Sequence, residues 1–295
     1  MRFRTGSLAV AAVAIGALAL TGCVDSDAPT TGDGDDDMME MVPYEDGTTM
    51  AALAEAGTIT IGTKFDQPLF GLEGPSGDPE GFDVEIGKLI AAQLGIDEGS
   101  IEWVETVSAN REPFIEAGTV DIVIATYTIN DTRKEVVSFA GPYYEAGQDI
   151  LVAAGNPEGI EGPEFFADNP DATVCTVSGS TSLANISEYT DNILEAAGYS
   201  DCLEPLRTGT AVAVTTDNVI LAGLAANSGG EFEVVGNPFT AEPYGIGLAL
   251  DDTDFRMWIN DVLEAIYADG SWDAAWEATA GTELPLPEPP AVDRY

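Results

Sequence analysis

From residue 57 onward the sequence alternates short apolar runs with stretches of helical periodicity, and it completes this cycle twice. The predicted strands cover residues 58–63, 101–105, 120–125, 172–177, 211–215 and 232–235. The predicted helices between them cover residues 82–94, 110–117, 182–197 and 218–226. Because strands and helices alternate, the pattern predicts two α/β units, each with a mostly parallel sheet covered by helices.

Two further extended runs, at residues 148–153 and 244–250, stand at the borders of the second unit. Helical periodicity returns at 254–268 and 271–279, and we expect these helices to complete the first unit. The chain would then cross between the units twice, which predicts an α/β fold of two lobes with two hinge crossings. In open α/β sheets, ligands bind beyond the carboxyl ends of the strands, so we expect a cleft between the lobes.

The N-terminus has the pattern of an export signal. Arg2 and Arg4 precede an apolar run at 8–20, which is too short to span a bilayer as a mature helix. Small residues follow and lead directly to Cys23, as in a bacterial lipid-attachment site; the alternative is an ordinary cysteine. Residues 24–47 carry acidic but no basic side chains, which favours an extended tether. We predict an exported protein, lipid-anchored on the outer face of the cell membrane.

The predicted organisation has five parts. They are a signal peptide (1–22), the lipidated Cys23 with its acidic tether (23–55), a first lobe (56–147 plus 243–283), a second lobe (148–242) and a flexible tail (284–295). The tail is predicted from its proline-rich composition.

Charge and composition exclude several functions. The formal net charge is −42, from 10 basic and 52 acidic residues, so the chain repels nucleic acid and anionic lipid surfaces. Salt or acid adaptation would each explain this acidity. The chain contains no histidine, which excludes Ser/His/Asp triads and histidine-ligated metals, and we expect no metal and no cofactor.

Cys175 and Cys202 remain as a pair if Cys23 is lipidated. An exported compartment permits a disulfide between them, and two buried thiols are the alternative. Their spacing of 27 residues would give about 3 kcal/mol of stabilisation in the chain-entropy model.

Polar side chains follow the predicted strands. Thr126, Thr128 and Arg133 come after the strand at 120–125, and hydroxyls with an arginine suit a carboxylate; the alternative is a capped helix with a surface arginine. Thr181 closes a small-residue turn after the strand at 172–177, which alone is weak evidence. Asp217 either caps a helix or accepts hydrogen bonds from an ammonium group. Arginine for a carboxylate and aspartate for an ammonium are what an α-amino acid requires.

At these positions the chain resembles the amino-acid-binding solute-binding proteins of family 3, and especially the glutamate-binding lipoproteins of actinobacterial ABC importers. The matching motifs are GTKFDQP (62–68), GFDVEIG (81–87), ATYTINDTR (125–133), SGST (178–181), TTD (215–217) and YGIGL (244–248). The resemblance implies the class II periplasmic-binding-protein fold. It also implies ligand capture without chemistry, by a monomer that delivers its ligand to membrane permease subunits.

The resemblance implies roles for single residues. Arg133 and Thr128 would hold the α-carboxylate, Asp217 the α-ammonium, and Thr181 would contribute from the second lobe. Lys64, Ser108 and Arg111 would hold a distal carboxylate, which predicts glutamate, or aspartate, as the ligand.

Other interpretations remain open at this point. Lys64 and Arg111 could instead pair with nearby acidic residues, and the ligand would then be glutamine or another polar amino acid. A dehydratase-like enzyme on the same scaffold would need an acid/base residue, for which Glu105 or Asp66 could serve. A sensor domain for a membrane receptor is the third class.

Overall fold

The computed structural model describes residues 44–295. The predicted signal peptide, Cys23 and residues 24–43 of the predicted tether lie outside this range. Within residues 44–295, no helix is both long and apolar enough to cross a membrane.

The described chain folds into two mixed α/β lobes. The helices are α1 Thr49–Ala56, α2 Phe82–Gln93, α3 Arg111–Glu116, α4 Asp131–Lys134, α5 Glu164–Asp168, α6 Thr181–Ile186, α7 Leu203–Thr208, α8 Asn218–Asn227, α9 Thr253–Asp269 and α10 Ser271–Ala278. The strands are β1 Ile59–Thr63, β2 Asp66–Gln67, β3 Gly71–Glu73, β4 Pro79–Glu80, β5 Ile101–Glu105, β6 Ile122–Val123, β7 Ser138–Ala146, β8 Gln148–Ala153, β9 Val174–Val177, β10 Ile193–Ala196, β11 Ala213–Asp217, β12 Phe232–Val234 and β13 Glu242–Leu248.

Each lobe is built on one five-stranded sheet, with strand order β5-β1-β6-β13-β7 in the first lobe and β10-β9-β11-β8-β12 in the second. Half of the pairings are antiparallel, whereas the sequence pattern predicted mostly parallel sheets. The antiparallel pairings involve β13 in the first lobe and β8 in the second. Both strands enter their sheet directly from the other lobe, so they run against the strands of the local β-α-β cycle.

The two crossings between the lobes lie side by side. The first runs from β7 through Gly147 into β8, and the second leads from β12 into β13. The backbone N–H of Gln148 donates to the Thr240 hydroxyl at 3.0 Å, which ties one crossing to the other. A Cβ on Gly147 would lie 2.8 Å from the Thr240 carbonyl oxygen, so only glycine fits this close approach.

The first lobe is closed by an aromatic cluster under the C-terminal helices. The Phe82 ring lies 5.4 Å from Trp272 and 5.1 Å from Trp276, and Tyr144 stacks on Trp276 at 5.0 Å. All four side chains are buried. Each contributes about 1.5–3 kcal/mol relative to an exposed position, so helices α9 and α10 belong to the core of the first lobe although they lie near the end of the sequence.

One predicted helix, at residues 182–197, is wrong in its second half. Helix α6 ends at Ile186, and residues 193–196 form strand β10, paired in parallel with β9. Between them the Thr190 hydroxyl accepts the backbone N–H of Asn192 at 3.0 Å and stabilises a turn. Short apolar runs such as Ile193-Leu194 fit either state, and pairing with β9 selects the strand.

Both ends of the described chain contact the first lobe. The predicted tether extended to residue 55, but residues 49–56 form helix α1, whose Met50 and Leu53 are buried. The predicted flexible tail makes specific contacts as well. The Tyr295 hydroxyl accepts the backbone N–H of Phe139 at 2.9 Å, and Arg294 forms ion pairs with acidic residues of α9.

Candidate functional site

The carboxyl ends of the central strands of both sheets lie at a cleft between the lobes. The cleft is nearly closed, with a free volume of about 10 Å³, and is lined by polar side chains from both lobes. The lining residues are Ser108, Arg111, Thr126 and Thr128 from the first lobe, and Ser180, Thr181, Ser182, Tyr199, Asp217 and Ile220 from the second. They lie at or just after the carboxyl ends of β5, β6, β9, β10 and β11, the position expected for a ligand site in such sheets.

Lys64 follows β1 directly and is 3% exposed. Its Nζ donates to the Ser108 hydroxyl at 2.9 Å. Within residues 44–295 no carboxylate lies within 4.0 Å of this ammonium. Burial, reinforced by the Arg111 guanidinium, lowers the pKa of Lys64 to about 7. The ammonium is therefore a buried charge without an ion-pair partner in the described chain.

Arg111 begins helix α3 and is also 3% exposed. Its guanidinium lies over the Tyr127 ring, 4.2 Å from the ring centroid. Its hydrogen bonds all reach backbone carbonyl oxygens, those of Ser108, Ala125, Thr126 and, across the cleft, Gly179. No ion pair of Arg111 is found among the described residues, so the alternative of pairing with nearby acids is not what the structure shows for Arg111 or Lys64.

Arg133 lies in the short helix α4 and is 7% exposed, so it is not a surface arginine. Its NH1 donates to the Thr128 carbonyl at 2.6 Å and its NH2 to the Gly179 carbonyl at 3.3 Å. Its Nε pairs with the Glu112 carboxylate at 3.2 Å. Burial lowers the pKa of Arg133 to about 10, which leaves it charged at neutral pH. Arg133 thus contacts both lobes.

Asp217 ends β11 and occupies the N-cap position of helix α8, but its side chain makes no capping hydrogen bond. Its Oδ2 accepts the Tyr244 hydroxyl at 2.6 Å, and its buried Oδ1 has no hydrogen-bond partner among residues 44–295. Burial, with the nearby Glu242 carboxylate, raises the pKa of Asp217 to about 7. A buried acceptor without a donor costs free energy, so this oxygen is suited to an incoming ammonium group.

The Thr181 hydroxyl, which belongs to the second lobe, lies close to a hydroxyl of the first lobe. Its Oγ1 lies 3.5 Å from that of Thr128 and donates to Glu242 at 2.9 Å. Thr126 also lines the cleft, but its hydroxyl donates to Gln67 at 2.9 Å. The structure therefore brings together all eight residues predicted for ligand binding: Lys64, Ser108, Arg111, Thr126, Thr128, Arg133, Thr181 and Asp217.

Sequence reasoning missed several residues of this cleft. Glu242 is the first residue of β13, at the end of the second crossing, and its carboxylate accepts hydrogen bonds from Thr181, Thr240 and Asn185. Tyr244 donates to Asp217, and Tyr199 lines the cleft. Tyr244 is the first residue of the YGIGL motif and could have been found from it. Nothing local in the sequence distinguishes Glu242 or Tyr199.

The described cysteines form a disulfide, Cys175–Cys202, with Cα atoms 5.6 Å apart. It joins β9 to the segment before α7, and Tyr199 lies on that segment. No cluster of three or more metal-ligating acidic, histidine or cysteine side chains is found in residues 44–295.

A fold of two lobes around a cleft that is lined by strand-end donors defines a hinged ligand-binding protein. Residues 59–278 match the bacterial extracellular solute-binding proteins, family 3. The chain belongs to this family.

Three similar proteins show which members of the family this chain resembles. A glutamate-binding protein GluB of Corynebacterium efficiens is 38% identical over 276 residues, which cover 90% of this chain and 86% of that protein. An ABC transporter glutamine-binding protein GlnH of Bacillus subtilis is 37% identical, covering 78% of this chain and 83% of that protein. The crystal structure of a solute receptor for L-cysteine of Neisseria gonorrhoeae superposes with a TM-score of 0.75 at 31% identity, covering 83% and 99% of the two chains.

Gly223→Ala is expected to weaken ligand binding at least about tenfold without destabilising the protein. Gly223 lies on α8 of the second lobe, and a Cβ there would overlap the Pro68 carbonyl of the first lobe. The methyl group would keep the lobes apart, while alanine favours the helix by about 1 kcal/mol. Gly99→Ala is the matched control, because no atom lies within 4 Å of a Cβ at Gly99. Calorimetric titration and thermal unfolding test this, and wild-type affinity in Gly223→Ala would contradict it.

Proposed function

We propose that the protein captures an acidic amino acid, glutamate in the first place and aspartate in the second, and presents it to the membrane permease subunits of an ABC importer. It acts as a monomer, lipid-anchored through Cys23 on the outer face of the membrane. The named relatives that bind glutamate and glutamine support an amino-acid ligand.

One observation carries the choice of an acidic ligand. Lys64 and Arg111 are buried in the cleft, and neither has a carboxylate within 4.0 Å in the described chain. Unpaired buried charge is costly, so beside a neutral ligand side chain Lys64 would lose its proton near pH 7 and the Arg111 guanidinium would stay uncompensated. A distal carboxylate would pair with them, while Arg133 would serve the α-carboxylate and Asp217 the α-ammonium.

Closure of the lobes supplies the mechanism. Lys64, Arg111, Thr128 and Arg133 belong to the first lobe and would bind the ligand first. Thr181 and Asp217 belong to the second lobe and complete the set only when the lobes meet. The ligand therefore binds the closed form more tightly than the open form and shifts the population toward it. The permease would recognise this closed shape.

Calorimetric titration tests the proposal. The soluble protein without its first 23 residues is unfolded and refolded to remove bound ligand, and is then titrated with glutamate, aspartate, glutamine and arginine at low and high salt. We expect one-to-one binding, tightest for glutamate. Preference for glutamine would retain an amino-acid importer and reject the distal-carboxylate argument. Absence of binding to a folded protein would reject the amino-acid ligand.

An enzyme on this scaffold finds less support. The two acid/base candidates, Glu105 and Asp66, do not line the cleft. Asp66 instead faces the second lobe, where its carboxylate accepts the backbone N–H of Ser200 at 3.4 Å. A turnover assay with cyclic carboxylic acids separates the two classes.

Glutamate affinity is expected to be highest near pH 7 and to fall on both sides. Burial brings the pKa values of both Lys64 and Asp217 to about 7. A ligand carboxylate raises the pKa of Lys64, so affinity falls as pH rises above about 7 and the free ammonium loses its proton. A ligand ammonium lowers the pKa of Asp217, so affinity falls as pH drops below about 7 and the free carboxylate gains one. Each decline approaches about tenfold per pH unit.

Titrations in buffers of different ionisation enthalpy measure the linked protons. Binding should take up protons above pH 7 and release them below it. Lys64→Arg should remove the alkaline decline, because arginine stays charged. Affinity that does not change between about pH 5 and about pH 9 would contradict the assigned roles.

A further inference from the structure

Glu242 is a buried carboxylate beside the cleft that the ligand set does not use. Its side chain is 3% exposed, and no lysine or arginine nitrogen lies within 4.0 Å of its carboxylate in residues 44–295. Arg133 is near enough for Glu242 to favour its charge, but Arg133 already forms an ion pair with Glu112 at 3.2 Å. Glu242 therefore needs another explanation than charge balance with that arginine.

Three neutral donors hold the Glu242 carboxylate in place. Oε1 accepts the Thr240 hydroxyl at 2.7 Å and the Asn185 amide at 3.2 Å, and Oε2 accepts the Thr181 hydroxyl at 2.9 Å. Thr181 and Asn185 lie one turn apart on the same face of α6, so they reach the two oxygens together. Asn185 also donates to the Gln148 side chain at 2.9 Å, and the Gln148 N–H donates to Thr240 at 3.0 Å. This closed ring of contacts fixes the carboxylate between the two crossings and α6.

The contact with Glu242 determines what Thr181 can offer to a ligand. A hydroxyl group has one hydrogen to donate and two lone pairs that accept, whereas an ionised carboxylate only accepts. Thr181 is therefore the donor in this contact, and its hydrogen points toward Glu242. Thr181 also lines the cleft, where its oxygen can then only accept. Such an oxygen suits an ammonium group and not a carboxylate.

Asp217 supplies a second acceptor in the same cleft. Its buried Oδ1 has no hydrogen-bond partner among the described residues, and Asp217 and Thr181 both line the cleft from the second lobe. Glu242 lies close enough to Asp217 to disfavour its charge. An ammonium group at this position would compensate both carboxylates, whereas a ligand carboxylate would add a third like charge.

We propose that Glu242 is a positioning residue of the ammonium subsite: it takes the hydrogen of the Thr181 hydroxyl, so that Thr181 and Asp217 together accept hydrogen bonds from the α-ammonium group of the ligand. Glu242 acts through Thr181 and does not touch the ligand. The inference rests on the proposed function for an amino-acid ligand, but it holds for glutamate and glutamine alike, because both carry this group.

Glu242→Gln reverses the polarity of the contact. The amide oxygen can still accept from Thr240 and Asn185, while the amide nitrogen donates to Thr181 and leaves the Thr181 hydrogen free to point into the cleft. Thr181→Val removes the hydroxyl with little change of shape, and Thr181→Ser keeps it. Glu195→Gln is the matched control, because Glu195 also accepts a serine hydroxyl in the second lobe, at 2.6 Å, but is exposed.

Calorimetric titration with the amino acid that wild type binds most tightly tests the coupling between Glu242 and Thr181. Glu242→Gln should weaken binding about tenfold or more in wild type, but less than about threefold in the Thr181→Val background. Thr181→Ser and Glu195→Gln should bind within about threefold of wild type. Unfolding transitions show that each variant is folded. Losses that multiply in the double variant, or wild-type affinity in Glu242→Gln, would overturn the proposal.

An analogue without the α-ammonium group tests which part of the ligand is concerned. Glutarate replaces glutamate, or glutaramate replaces glutamine, and its affinity is obtained by competition against the amino acid. Glu242→Gln should not weaken binding of the analogue, and an equal loss for amino acid and analogue would overturn the proposal. Absence of amino-acid binding by folded wild type would reject the proposed function and this inference with it. Multiplied or equal losses in a protein that binds would reject the inference alone.

Discussion

Replacing Arg133 by methionine should weaken binding of glutamate and glutamine alike by about thirtyfold or more. The guanidinium is buried and donates to backbone carbonyls of both lobes, at Thr128 and Gly179. Assigned to the α-carboxylate, it serves a group that every α-amino acid carries. Truncating one partner of a buried charge pair costs about 2–5 kcal/mol, which corresponds to this loss.

The control is Arg294→Met, which removes a partly exposed arginine paired with Asp261 and Glu264 on α9. It should leave both affinities unchanged, because exposed pairs contribute little. Both variants are titrated calorimetrically after a check of their unfolding transitions. A folded Arg133→Met protein that binds glutamate as wild type does would contradict the assignment.

Removing the disulfide should give the largest loss of stability. The bond between Cys175 and Cys202 spans 27 residues of the second lobe, including the edge strand β10. Its loss frees this segment in the unfolded chain and costs about 3 kcal/mol. The double variant Cys175→Ala/Cys202→Ala is compared with wild type by urea unfolding, where the midpoint should fall.

Wild-type protein unfolded in reductant provides the matched comparison, since it lacks the bond but keeps both cysteines. Its stability should match that of the double variant within about 1 kcal/mol. A double variant as stable as the oxidised wild type would show that the bond does not constrain the unfolded chain as described.

The sequence predicted the two lobes and the strand ends that form the cleft because both depend on local patterns. Apolar strands followed by polar residues were enough to indicate Thr128, Arg133 and Asp217, whereas Lys64 was indicated by the family resemblance. Strand direction depends on the path between lobes, which local patterns do not contain, so the antiparallel entry of β8 and β13 was not predicted. The same limit explains β10, whose state is decided by its neighbour β9.

The residues missed in the cleft share one property: their roles depend on contacts far along the sequence. Glu242 meets Thr181 from 61 positions away, and Tyr244 meets Asp217 from 27 positions away. Neither contact leaves a periodic or spacing signal. The C-terminal tail was predicted as flexible from its prolines, but an arginine and a tyrosine at its end contact the first lobe.

The most direct test of the central claim is a double-mutant cycle between the ligand's side chain and Lys64. Affinities for glutamate and glutamine are measured in wild type and in Lys64→Met. Among the described residues the Lys64 ammonium donates to the Ser108 hydroxyl alone, so its removal disturbs little else. We predict that wild type prefers glutamate. In the variant the ratio of glutamate affinity to glutamine affinity should fall at least about tenfold, which corresponds to about 1.4 kcal/mol of coupling free energy. An equal preference in both proteins would show that no distal carboxylate meets this ammonium.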